Sequence, residues 1–271
     1  VNIERSNQLR LFMEINENQI AVSTNLRITL GADLNYDSDN LKERADGLIK
    51  TIAQQLGEDV SSPLYGRILL GEDKRTETKI ITLDAIVQGL RAANFIGTFT
   101  KDEVKETGVF YTGSNDKSLK QITGFLYKVF EYLQQQAPTE WNRLHSEGGV
   151  ILNSDGVRAL ISTIGDVTEH LALNDELARS GNKSDQVYEA FTPFLIELAK
   201  YLETISEDVR KDIRTRAGTG APTRLRRILQ RELKAVFQEF DPPGLEEYWR
   251  DLSNQFNSEA FSLVKDIEGH L

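Results

Sequence analysis

The chain has 271 residues, of which 39% are hydrophobic and 27% charged, so it can bury a sizeable core as one large or two small domains. It has no cysteine, which excludes disulfides, thiolate zinc sites and a cysteine nucleophile and fits a reducing cytoplasm; no run approaches the roughly 18–20 apolar residues of a membrane span. The net charge of −10 argues, on average, against a nucleic-acid partner, because affinity for a phosphate backbone comes mostly from Lys and Arg.

Val1-Asn2-Ile3 reads as the end of a strand. Leu9, Phe12 and Ile15 share one helical face, and the cluster Asn16-Glu17-Asn18-Gln19 breaks that helix into a polar turn. Val22, Leu26 and Leu30 then repeat helical spacing, with Ser23 as N-cap. Gly31–Asn40 is a turn-rich loop. Its Asp/Asn spacing imitates a calcium loop, but Ser38 stands at the glycine position and Arg44 at the bidentate glutamate position, so no metal is expected. A helix is expected over Leu41–Leu56, stopped by Gly57. Arg67–Leu70 and Lys79–Thr82 form a β-hairpin on this reading, Thr82 caps a helix through Ala93, and Gly97–Gly113 is irregular or short-stranded.

From Ser118 the pattern is helical. Leu119 to Leu133 keep helical spacing up to Pro138; Val157 to Leu171 repeat it. After a polar linker, Leu173–Asp185, a third run extends from Val187 to Ile205, kinked or restarted at Pro193. Gly218–Pro222 breaks the chain before a helix over Thr223–Phe240, Asp241–Gly244 ends it, and one or two helices follow to Leu271. The fold class expected is α+β, predominantly α-helical: a small hairpin-containing region over 1–113, then a helical bundle over 114–271.

Five segments in order carry a family resemblance: Phe12-Met13-Glu14-Ile15-Asn16 with Gln19 and Val22-Ser23; Ser62-Pro63-Leu64-Tyr65 with Arg67-Ile68; Ile80-Ile81-Thr82-Leu83; Ala137-Pro138-Thr139-Glu140-Trp141; and Leu152–Leu160. Together they resemble the block that follows the signature motif in DGQHR-domain proteins. No Asp-Gly-Gln-His-Arg occurs in this chain, which the resemblance explains if the chain is the C-terminal part of a longer protein. The family includes DndB-type regulators of DNA phosphorothioate-modification operons, and its N-terminal domain looks like the ParB fold. The resemblance therefore implies a cytoplasmic DNA-binding regulator or accessory factor in a DNA-modification or phage-defence system, with other proteins of the operon as partners and an oligomer compatible with it. The alternatives are a ParB-like nucleotide hydrolase and a helical scaffold that docks a basic partner without touching nucleic acid.

Chemistry-bearing residues give a narrower picture. Asn16, Asn18 and Gln19 can hydrogen-bond a ligand or cap helices, and Arg10 can reach a phosphate or remain solvated. Gly113-Ser114-Asn115-Asp116-Lys117-Ser118 mimics a phosphate loop but places Asp116 where glycine is required, and Gly218-Thr219-Gly220 lacks the lysine; the first reads as a helix start. His145, His170 and His270 are scattered, and no carboxylate pair stands out, so no catalytic residue, metal ligand or cofactor is assigned. Trp141 and Trp249 read as core or interface anchors. Nine basic residues against two acidic ones fall within 209–234, an excess of seven. In its helix Arg224, Arg227, Arg231 and Lys234 lie within about 80° of one another, opposite Leu225, Leu229, Leu233, Val236 and Phe240. With Arg214 and Arg216 before them, these are the candidate DNA-binding residues, and a face paired with the chain's own carboxylates is the competing reading.

Overall fold

A computed structural model of the protein describes residues 24–216, 218 and 220–254. The expected strand at Val1–Ile3, the helix carrying Leu9, Phe12 and Ile15, the polar turn Asn16, Asn18 and Gln19, Arg10, the Ser23 cap and the chain after 254 lie outside the described residues.

The fold is predominantly helical with a few short strands. It begins with α1 (Thr24–Asn35) and α2 (Leu41–Glu58). Gly31–Asn35, expected in a loop, is the last part of α1, and that helix buries Ile28, Gly31 and Ala32 rather than the Leu26–Leu30 face. The Asp/Asn run is turn chemistry: the Asn40 side chain accepts from the backbone N–H groups of Lys42 and Glu43 at the start of α2. Gly47 lets α2 meet the end of α1, because a Cβ there would lie 2.6 Å from the Asn35 and Tyr36 backbone. Gly57 does not stop α2. It lies within the last turn, where a side chain would press on Ile68.

The expected hairpin is corrected. β1 (Ile68–Leu69) and β2 (Ile81–Thr82) pair in parallel, Ile68 opposite Ile81 and Leu69 opposite Thr82. Residues 70–80 therefore cross over before the chain returns, and Lys79 and Asp73 fasten that crossover with an ion pair at 3.1 Å. The antiparallel hairpin lies later, between β3 (Gly97–Phe99) and β4 (Val104–Thr107). Between the two pairs runs α3 (Leu83–Ala93), which Thr82 caps by accepting from the Ala85 N–H.

The remaining helices are α4 (Asn115–Gln136), α5 (Pro138–Asn142), α6 (Ser154–Leu173), α7 (Ser184–Glu203), α8 (Glu207–Arg214), α9 (Gly220–Val236) and α10 over 245–254. Gly113–Ser118 starts a helix, with Ser118 buried and accepting from the Thr112 N–H. Pro193 does not restart α7, which is continuous across it. Gly220, Ala221 and Pro222 form the first turn of α9 rather than a break before it, and the helix ends at Val236, four residues before Phe240. One hydrophobic core extends from Ile28 to Phe240. Its axis is the contact of α3 with α6, where Gly89 faces Ile161 and the Arg158 backbone, and Gly165 lies against Ala93. No helix among the described residues is long and apolar enough to cross a membrane.

Candidate nucleic-acid interface

The basic residues converge because α8 packs against α9, which itself packs against α6 and α7. Ser206 caps α8, Glu207 and Asp208 occupy its first turn, and Lys211 and Arg214 occupy its last, which complements the helix dipole at both ends. This amphipathic turn buries Ile213 and, unusually, Arg210. The Arg210 guanidinium, 3% exposed, donates to the fully buried carboxylate of Glu140 in α5. The other Glu140 oxygen accepts from the Val150 N–H at 2.7 Å. Arg143 and Glu207 complete the network at the surface.

An open cleft of about 490 Å³ lies over this network, between α8, the His145–Glu147 turn and the first turn of α6. His145, Asn153, Asp155, Lys211, Arg214 and Arg216 are among its lining residues. Lys211 and Arg214 are exposed and have no hydrogen-bond or ion-pair partner among the described residues. Arg216 is committed: its Nε and Nη2 donate to Asp212 at 3.2 and 2.8 Å.

Asp212 links the cleft to the stripe on α9, since its other oxygen accepts from Arg224 Nε at 2.6 Å. Burial alone would raise the pKa of Asp212, but Arg224 and Arg216 more than offset it and hold the carboxyl below its ordinary value. Each further cation of the stripe meets α10 or the turn before it. Arg224 and Arg231 lie on the Trp249 ring at 4.5 and 4.0 Å from its centroid. Arg227 donates to Gln230 Oε1 and to the Pro243 carbonyl, both at 2.9 Å, and faces Tyr248. Lys234 donates to Asp241 at 2.5 Å and Glu246 at 3.0 Å, which together hold its pKa above the ordinary lysine value. On the opposite side Arg226 and Gln230 both donate to Asp166 of α6.

Of the expected cations Arg214, Arg216, Arg224, Arg227, Arg231 and Lys234, which lie on the adjoining helices α8 and α9 and the turn between them, only Arg214 has no partner among the described residues. Leu225, Leu229 and Leu233 pack into the core and Phe240 is buried, while Val236, expected on that apolar face, is 54% exposed. Lys211, counted within the basic run, stands at the cleft with no partner among the described residues, and two participants escape sequence reasoning: Glu140 as the buried counterion of Arg210, and Trp249 as the cover of the stripe. The readable signal for the last was Asp241-Pro242-Pro243-Gly244, a chain reversal, followed by the acidic and aromatic run Glu246-Glu247-Tyr248-Trp249. Trp141 is fully buried beside Phe130, as an anchor should be. His170 packs against Phe194 and Phe240, whereas His145 stands at the cleft. Comparison with known protein families, characterised proteins and solved structures returns no match.

Proposed function

We propose that the protein binds nucleic-acid backbone phosphate through the α8–α9 surface, as a regulator or accessory factor of a prokaryotic DNA-modification or phage-defence system. The observation that carries the binding reading is the pair Lys211 and Arg214: two exposed cations, three residues apart on α8 and without a partner among the described residues, that line an open cleft. The biological setting rests on the resemblance of the ordered sequence segments to DGQHR-domain proteins. Phosphate contacts release counterions, so log K falls with log salt by about 0.9 per contact on duplex DNA. Replacing Lys211 and Arg214 with Gln is expected to weaken binding to all duplex sequences alike and to flatten the salt slope by about two units. Folding should be unchanged, because neither side chain supports the core. Anisotropy titrations of a labelled duplex at three salt concentrations, beside thermal melts, test this; equal affinity and slope in the variant would refute it.

A second reading is a helical scaffold for a basic partner. It is favoured by the internal pairing of most of the stripe and by the net charge of −10. The same titration separates the two, since a scaffold shows no duplex binding at any salt concentration. A ParB-like nucleotide hydrolase is supported by the family resemblance alone.

A further inference from the structure

We infer that α10 is an intramolecular mask, an acidic and aromatic helix that occupies the basic face of α9 in place of nucleic acid. The inference rests on the phosphate-binding reading above and adds its regulation. Four observations support it. The residues of α10 that meet α9 reproduce the chemistry of a nucleic-acid strand: Glu246 supplies an anion to Lys234, and Trp249 supplies a flat π-face to Arg224 and Arg231. The acid Asp241, in the turn before α10, adds a second anion on Lys234.

The masked contact is also imperfect. The indole Nε1 of Trp249 and Nη1 of Arg224 are both buried without a hydrogen-bond partner, so closing α10 over α9 strands two donors that water or phosphate oxygens would satisfy. A contact with unsatisfied donors is one from which a phosphate can gain.

The connection suits release. Phe237 stacks on Phe194 with centroids 4.0 Å apart and Phe240 is fully buried, which fixes the chain up to that point; of the described residues of α10 only Leu245 is buried. Pro242-Pro243-Gly244 follows, with Gly244 at φ 73° in the left-handed region where a side chain is disfavoured and where a Cβ would meet Arg227 Nη2 at 3.0 Å. Beyond this reversal, α10 makes its cation contacts to α9 through side chains alone. Finally, Arg224, Arg227, Arg231 and Lys234 share one face of α9, so a single displacement of α10 uncovers that face, with Arg224 still held by Asp212 of α8.

The test uses the full 271-residue chain and a labelled 20-base-pair duplex. Two variants open the contact: Trp249→Ala, and the double change Asp241→Asn with Glu246→Gln, which keeps the aromatic packing should the first fail to fold. A charge-matched control, Glu72→Gln with Glu77→Gln in the exposed loop between β1 and β2, corrects for the change in net charge. The double change is expected to bind at least about tenfold more tightly than the control, and Trp249→Ala than the wild type, each with a salt slope steeper by about two units. Adding Arg224→Gln and Arg231→Gln should abolish the gain. Wild-type binding with no gain in either opening variant overturns the mask alone. Duplex binding by none of the proteins overturns the phosphate reading, and the mask with it.

Discussion

Glu140 and Arg210 are the residues where a conservative change should cost most. Both are buried and each is the other's buried charge partner, so removing one leaves an ion in the core with only a partner nearer the surface, Glu207 or Arg143. Glu140→Gln is expected to destabilise the protein by about 3–5 kcal/mol, measured by urea unfolding, whereas Glu140→Leu combined with Arg210→Met should recover most of that loss. A pH effect follows from Asp46 of α2. Burial works against its ionised form, but the hydrogen bonds from Lys50 and Arg91 prevail and lower its pKa. A depressed carboxyl contributes stability above the unfolded value of about 3.9 and loses it as pH falls through the folded value. Melting temperatures of wild type and Asp46→Asn should therefore differ at pH 6 and converge below about pH 4.

At the scale of elements, capping and close approach carry the fold. Thr82 ends β2, caps α3 and donates its backbone N–H to Ser154 Oγ at 3.0 Å, tying α3 to the start of α6. Thr82→Ala is expected to cost about 1–2 kcal/mol by denaturant unfolding, toward the upper end for an N-cap. Gly165→Ala should cost at least about 1–3 kcal/mol, because the new methyl would lie 2.2 Å from Ala93 Cα across the α3–α6 contact. These two residues also mark what the sequence could and could not reveal. Thr82 before a periodic apolar run is a local signal, and the cap and helix from it to Ala93 were legible. Gly165 inside a strong helical pattern gives no sign of which helix it faces. The same division explains the strands: two short β-like runs were visible, but pairing direction depends on how residues 70–80 travel, and no residue in that crossover encodes parallel pairing. On α9 the helical wheel placed Leu225, Leu229 and Leu233 in the core correctly and Val236 wrongly, and the polar face of a helix looks alike whether water, phosphate or a tryptophan lies on it.

At the scale of the molecule, the continuous core from Ile28 to Phe240 predicts one cooperative unfolding transition over the described residues. Coincident melting curves by circular dichroism and by near-ultraviolet absorbance would establish it; separated curves would divide the chain into independent parts. The position of Trp249 has an optical consequence. The chain holds two tryptophans, one sealed in the core and the other in contact with two guanidinium groups. Trp141 is inaccessible to any ionic quencher, so ionic quenching reports on the second indole alone. Its flanking arginines attract iodide and repel caesium, which makes the fluorescence of the closed molecule respond unequally to the two ions, and that inequality fades with added inert salt as the local field is screened.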